Sequence, residues 1–260
     1  MAPRGMLGEG SLRIRKLKKL LFLKLSRVLG LYNGVVFHST SVDEKNDIDE
    51  HFGKNTLIEF APNLPGQFHG GRVVGSKVKE SGRLKLVSVA RIAPEKNLNY
   101  ALELLKEVSG QVELNIYGSI YDHGYWKKCS GTIKSLPENI RVHKHEGVPH
   151  QELYSILGKH HFLILPSPGE NFGHIVFEAL SSGCPPIISD NTPWKELQKQ
   201  SAGWSIPLND KNSWISALNE CVNMDQSRYD LISVATEEYA AKYLMETESL
   251  ELTRKMFAIE

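Results

Sequence analysis

The chain of 260 residues is 41% hydrophobic and 23% charged with a formal net charge of +1, a composition that excludes disorder, collagen and coiled coil. At roughly 100–200 residues per domain it amounts to one large or two modest domains, and no apolar run approaches the ~20 residues of a membrane span. Cys129, Cys184 and Cys221 lie far apart, forming neither a disulfide framework nor a CxxC metal pair, so a reducing compartment fits. The charge is unevenly spread: residues 1–30 hold eight Lys/Arg against one Glu, and the rest holds 23 basic against 29 acidic residues. That distribution excludes a general nucleic-acid binder. Lys24 and Arg27 interrupt the apolar stretch of the basic segment and no small-residue cleavage site follows, so it does not read as a signal peptide.

In chain order, residues 11–29 read as an amphipathic helix. Ile14, Leu17, Leu21, Leu25 and Val28 recur at helical spacing, with seven Lys/Arg on the other faces. A strand over 35–38 follows, then a helix capped by Ser41 or Asp43 and stopped by Gly53, and a strand over 56–60. PNLPG at 62–66 opens a glycine-rich linker that runs to Gly82. From Arg83 strands and helices alternate regularly. Strands are predicted over 84–89, 112–117, 140–145, 162–165 and 186–189, and helices over 97–108, 121–135, 149–157 and 172–182. A short segment at 203–207 leads into helices covering much of 210–258. Short apolar strands separated by helices of about ten residues call for a parallel sheet covered on both faces. The fold class is therefore α/β: a parallel sheet with helices on both faces, preceded by part of a second α/β domain. The expected divisions are 1–82 (partial N-terminal domain and linker), 83–245 (the parallel-sheet domain) and 246–260 (C-terminal helix).

Ligands of such sheets sit outside the carboxyl ends of the strands, so the residues after each strand carry the functional reading. RIAPEKN at 91–97 sets Arg91 and Lys96 at the mouth of a helix, an anion site if the two cations are not simply solvated. PSPGENFGHIVFEALSSGCPPIIS at 166–189 places Glu170 at a turn, Gly173 where the backbone can approach a ligand, and Glu178 two turns into the next helix. Glu178 lies in a helix that is apolar nearly all round, where a carboxylate is costly without a partner. Asp47-Ile48-Asp49 is a formal DxD, read as a solvated helix face; the ten histidines show no ligand spacing, and no GxGxxG follows a strand. No metal site is expected.

Glu-x7-Glu in the setting ENFGHIVFEALSSGCPPIIS, some 75 residues after RIAPEKN, resembles the retaining family-4 (group 1) glycosyltransferases of GT-B architecture, in which two Rossmann-like domains face a cleft. The resemblance covers the donor-binding domain from about 83 to 243. PRGML, the basic helix and FHSTSVDEK resemble the end of the acceptor domain. It implies that Arg91 and Lys96 meet the donor diphosphate, that Glu170 stands beside the transferred sugar, and that Phe172, Gly173 and His174 reach sugar and phosphate through backbone amides. Glu178 would hold the ribose, Glu146, Gly147 and Val148 would cradle the nucleobase, and Gly118 would line the same pocket. The implied activity is retaining transfer of a sugar from a nucleotide-diphosphate donor to an acceptor hydroxyl, in polysaccharide or glycolipid biosynthesis. No metal or other cofactor is expected, and the implied setting is cytoplasmic, extending to the inner face of the membrane. The acceptor domain would supply a glycine-rich loop and a histidine that residues 1–82 lack, since His69, Gly70 and Gly71 follow no strand. The alternative is therefore a catalytically incomplete nucleotide-sugar-binding subunit that needs a partner chain. Residues 11–29 would either pack on the acceptor domain or contact a membrane peripherally, next to a saccharide or lipid-linked acceptor.

Overall fold

The computed structural model describes residues 1–8, 12, 16–66 and 77–257. Ile14, His69, Gly70 and Gly71, named above, lie outside the described residues. The chain divides into two units. One spans Met1–Pro65, Gly169–Phe172 and the stretch from Glu246, and the other spans Gly66–Pro168 and Gly173–Met245.

In the first unit, α1 (Lys16–Val28) leads to β1 (Val36–Ser39), α2 (Val42–Phe52) and β2 (Leu57–Phe60), and α9 (Ser249–Met256) lies against β2. β1 and β2 form a two-stranded parallel sheet. Ser41 caps α2 by accepting from Glu44 N, and Gly53 ends it, so the capping signal selects Ser41 over Asp43. The small core joins Leu7, Leu12, Leu23, Phe37 and Ile48, with Tyr32 and Phe52 packed against it. On α1 the buried residues are Leu23 and Ser26, whereas Leu17, Leu21, Leu25 and Val28 are all exposed, Leu17 to 85%. The apolar stripe that defines this helix in the sequence thus faces away from its own unit's core.

The second unit carries a six-stranded sheet in the order β5-β4-β3-β6-β7-β8, parallel throughout. Its strands are β3 (Arg83–Val89), β4 (Gln111–Tyr117), β5 (Ile140–His145), β6 (Phe162–Leu165), β7 (Pro186–Ser189) and β8 (Trp204–Ile206). The last of these turns the segment expected at 203–207 into an edge strand. Between and after them come α3 (Leu98–Leu105), α4 (His123–Lys134), α5 (His150–Leu157), α6 (His174–Ser181), α7 (Lys211–Asn223) and α8 (Gln226–Glu246). Residues of α3, α4 and α7 share one core with the even-numbered side chains of β3 and β4, centred on Leu86, Leu102, Leu114 and Trp214. Leu153 and Leu157 of α5 and Ala179 of α6 pack on the opposite face with Val87, Leu163 and Cys184. β6 and β7 are buried along their whole length, as expected for strands covered on both sides. All three cysteines are buried and free.

The segment entering β3 is tied to the body by two buried side chains. Lys79 Nζ donates to the carbonyls of Val222 and Met224 at the end of α7, at 3.0 and 2.7 Å, where a cation complements the exposed helix carbonyls. Burial lowers the Lys79 pKa to about 8. His161 accepts from Lys85 N at Nδ1 (3.0 Å), which leaves the proton on Nε2 to donate to Val78 O (3.0 Å). Burial holds its pKa down at about 4.

Because burial holds the folded His161 at about 4, below the ordinary 6.5, the unfolded chain takes up that proton first as the solution is acidified. This contribution is complete above pH 6.5 and drains away as the pH falls towards 4, to at most roughly 3 kcal/mol. Urea unfolding at pH 7 and pH 5 should show His161→Phe less stable at neutrality yet losing less on acidification than the parent.

Candidate functional site

Strand order reverses between β3 and β6: β4 and β5 are laid down on one side, β7 and β8 on the other. The helices that follow β3 and β6 leave to opposite faces, which opens a crevice at their carboxyl ends. Asn97 closes the loop after β3 in a left-handed conformation (φ 53°), and its Nδ2 donates to Pro166 O, 3.0 Å away in the loop after β6. The loop after β3 is also laced to the one after β4, with Ile92 N donating to Ser119 O (2.8 Å) and Tyr121 N to Ile92 O (3.1 Å). There a Cβ on Gly118 would lie 1.9 Å from Ala90 O. The glycine is demanded by this strand-end contact.

The cationic loop is more ordered than a solvated pair of side chains. Arg91 Nη2 lies 2.8 Å from Glu95 Oε1, and the guanidinium sits 5.0 Å from the Tyr121 ring centroid. Acid and ring together aim the group, and Glu95 offsets part of its charge. Lys96 ends a 3-10 turn over Pro94–Lys96, so the predicted helix begins one residue later, at Leu98.

In the loop after β6, Gly173 takes φ 75°, ψ 58° and caps α6, with the Val176 and Phe177 amides donating to its carbonyl. A side chain is strained in that conformation, which explains the glycine. His174 is exposed and Phe172 buried. Glu178 is only 7% exposed, and its costly burial is met by a partner on another helix: His150 Nε2 stands 2.8 Å from Glu178 Oε1. Tyr154, one turn further along α5, meets the His150 ring edge-on at 5.9 Å. On its other side α6 sends Phe177 into an aromatic group with Trp194 and Tyr243, so the helix is apolar nearly all round because it is buried nearly all round.

Glu170 and Phe172 group with the first unit. Between them, Asn171 Oδ1 lies 3.0 Å from the Thr40 hydroxyl. That hydroxyl and Thr40 N both donate to Glu44 Oε2, at 2.7 and 2.8 Å, and Gly5 N donates to Glu44 Oε1 at 2.8 Å. The buried Glu44 thus anchors the PRG segment and the start of α2 together. Glu146 is exposed beside Lys144 (2.5 Å) and Val148 is half-buried. His145, just before them, stacks on Tyr117 (4.4 Å between centroids) and bonds Asn115 Oδ1 (2.7 Å), a structural role. Asp47 and Asp49 flank the fully buried Ile48 on α2, and burial raises the Asp47 pKa. No group of three metal-ligating side chains occurs among the described residues, and no helix there is long and apolar enough to cross a membrane.

The second unit therefore holds Arg91, Lys96, Gly118, Glu146, Val148, Gly173, His174 and Glu178 on the loops and helices that follow its strands. His150, Tyr121, Asn97 and Asn171 were not singled out by the sequence. Glu95, four residues beyond Arg91, was the one local signal for a held guanidinium. The His150 pairing spans 28 positions and leaves no local trace.

The family model "Glycosyl transferases group 1" matches residues 74–238. No curated protein matches the chain by sequence. Among solved structures it is similar to Anabaena Alr3699/HepE in complex with UDP and glucose, with TM-score 0.70 and 15% identity over 92% of this chain and 66% of that one. It is also similar to WaaG, a glycosyltransferase involved in lipopolysaccharide biosynthesis, with TM-score 0.66 and 13% identity over 85% of this chain and 61% of that one. A third likeness is to a GtfA/B complex, with TM-score 0.57 and 16% identity over 86% of this chain and 45% of that one. The chain thus spans less than two thirds of the length of each of these structures.

Gly118→Ala should cost at least ~2 kcal/mol, since the added methyl meets the backbone oxygen of Ala90 and cannot turn aside. Thermal unfolding reads this directly, while Gly131→Ala, where a Cβ meets nothing within 4 Å, is the control and should leave the midpoint unchanged or higher.

Proposed function

Since the chain belongs to the glycosyl transferases group 1 family, we propose that its second unit binds a nucleotide-diphosphate sugar and serves retaining transfer of the sugar to an acceptor hydroxyl. The observation that carries the reading is the β3/β6 switch point, where a loop bearing two cations is bonded to the loop that precedes a helix with a buried, half-satisfied carboxylate. The UDP and glucose held by the HepE structure support a donor of this class.

In this reading Arg91 and Lys96 face the diphosphate, and Glu178 accepts from the ribose. Backbone amides at Phe172, Gly173 and His174 meet sugar and phosphate, Glu170 stands beside the sugar, and Glu146 and Val148 border the base. The bond that breaks joins the anomeric carbon to a diphosphate oxygen, so negative charge grows on the leaving group. Positive charge held in place before the reaction stabilises that state most. Arg91, already aimed by Glu95 and Tyr121, suits the task, and neither cation requires a metal beside it. The acceptor oxygen bonds to the anomeric carbon on the face the diphosphate leaves, and its proton passes to the departing phosphate oxygen. A role in polysaccharide or glycolipid assembly, in the cytoplasm, agrees with the WaaG likeness and with three unpaired cysteines.

A second reading is a donor-binding subunit that needs further polypeptide for turnover. It is favoured by the β1–β2 sheet, since parallel strands are ordinarily covered on both faces, whereas Val36, Leu57 and Phe60 here are exposed. The exposed stripe of α1 would pack on the same further polypeptide. Peripheral membrane contact through its lysines is the competing use of that stripe. The assembly of GtfA with GtfB in a neighbouring structure supports a partner chain.

Calorimetry with UDP, GDP and ADP tests the donor site. One of them should bind, Lys96→Ala should abolish that binding, and Glu178→Ala should weaken it about tenfold. Absence of binding by all three, or unchanged affinity in Lys96→Ala, overturns the assignment. Robust sugar transfer by the isolated chain would dismiss the subunit reading, and liposome binding that survives neutralisation of Lys18, Lys19 and Lys24 would dismiss an electrostatic membrane contact.

A further inference from the structure

We propose that His150 is a positioning residue that fixes the Glu178 carboxylate and thereby sets how well the donor site tells a ribose from a deoxyribose. This rests on the assignment of Glu178 to the ribose made above.

Three observations on one pair of helices lead here. The first is asymmetry of burial: the Glu178 side chain is 9% exposed, while that of His150 is 59% exposed. A nearly buried carboxylate is held by an imidazole that stands in solvent at the first position of α5, so the pair is accessible from one side only. The second is incomplete satisfaction. Among the described residues, the Glu178 side chain makes one hydrogen bond, from His150 Nε2 to Oε1, and Oε2, which is not among the buried polar atoms lacking a partner, stays open to solvent and to a ligand's donors. A carboxylate has capacity for about four such bonds, so the open oxygen has room for donors from a ligand. A pair of adjacent sugar hydroxyls supplies what is missing. The third is the seating of the imidazole. Tyr154 meets it edge-on at 83°, and its backbone lies two residues beyond Val148, at the end of the loop assigned to the nucleobase.

His150 therefore joins the loop after β5 to α6, the two elements that would bracket a nucleoside. With Nε2 donating to Oε1, rotation of the carboxylate about its last side-chain bond is restrained, and Oε2 is held in one direction. The entropy of ordering the carboxylate is then spent in folding instead of at binding, which is how preorganisation raises affinity. A site built to bond a hydroxyl rejects the analogue that lacks it, because its own polar group is left unpaired. Without His150 the carboxylate turns freely, and both ribose affinity and the penalty against deoxyribose shrink together.

The test is calorimetry of UDP, GDP and ADP and of their 2′-deoxy and 3′-deoxy counterparts with the full chain. The parent should prefer a ribonucleotide over at least one deoxy analogue by tenfold or more. Glu178→Ala should bring that ratio close to one. His150→Ala should reduce it at least threefold, chiefly by weakening the ribonucleotide, with little change for the deoxy analogue. His150→Gln, whose amide nitrogen reaches about as far as the imidazole Nε2, should restore most of the ratio. A purely structural role would lower affinity for all nucleotides alike and leave the ratio intact, so a His150→Ala protein with the parental ratio overturns the proposal while the ribose assignment survives. If the parent itself shows no preference, or Glu178→Ala keeps it, the ribose assignment fails and the proposal falls with it. Thermal unfolding of each variant separates loss of fold from loss of selectivity.

Discussion

A parallel sheet that must be covered on both faces is the constraint from which the second unit follows. Each strand returns through a helix, each helix needs a face to lie on, and covering both faces obliges the chain to reverse its direction of growth once. The reversal falls between β3 and β6. The helices there part to opposite sides, and the two loops are left side by side at the carboxyl ends of their strands, where parallel sheets take their ligands. The Asn97 side chain bonded to Pro166 O keeps the loops from drifting apart, and the Ala90 oxygen against Gly118 fixes the level at which the next loop crosses. These contacts are small, but they set the walls of the crevice.

Charge in each unit is organised by pairing. Arg91 is aimed by Glu95 and Tyr121, Glu178 by His150, and Glu44 by three donors from Gly5 and Thr40. The pairs differ in what they leave over. Glu44 has both oxygens engaged and serves as an anchor for the first unit, whereas Glu178 retains an oxygen to offer. That leftover capacity is what the proposed ribose contact would use, although both carboxylates are almost wholly buried and both sit on helices.

The first unit obeys the same physics with fewer elements. Its parallel pair of strands and the outward stripe of α1 present apolar surface that its core of Leu7, Leu12, Leu23, Phe37 and Ile48 does not use. Hydrophobic periodicity reports that a helix has two faces; it does not report which surface covers the apolar one. On α1 the buried residues, Leu23 and Ser26, belong to a different stripe from the one that makes the periodicity conspicuous.

Much of the molecule was legible before any coordinates. Alternation of apolar strands with helices reads out α/β class because side-chain period is a local property, and the strands over 162–165 and 186–189 carry their own bounds in apolar runs. Glycine at 173 and the run of Glu170 to Glu178 were legible for the same reason, as backbone conformation and helix spacing are decided within a few residues. Strand order, the position of the reversal and the choice of His150 as the partner of Glu178 were not. They depend on which distant segments come to lie together, and His150, 28 residues from Glu178, has no local feature that distinguishes it from the other nine histidines. The demand for a partner was written in the chain by the cost of burying a carboxylate, but only the packing of α5 beside α6 could name which side chain would meet it.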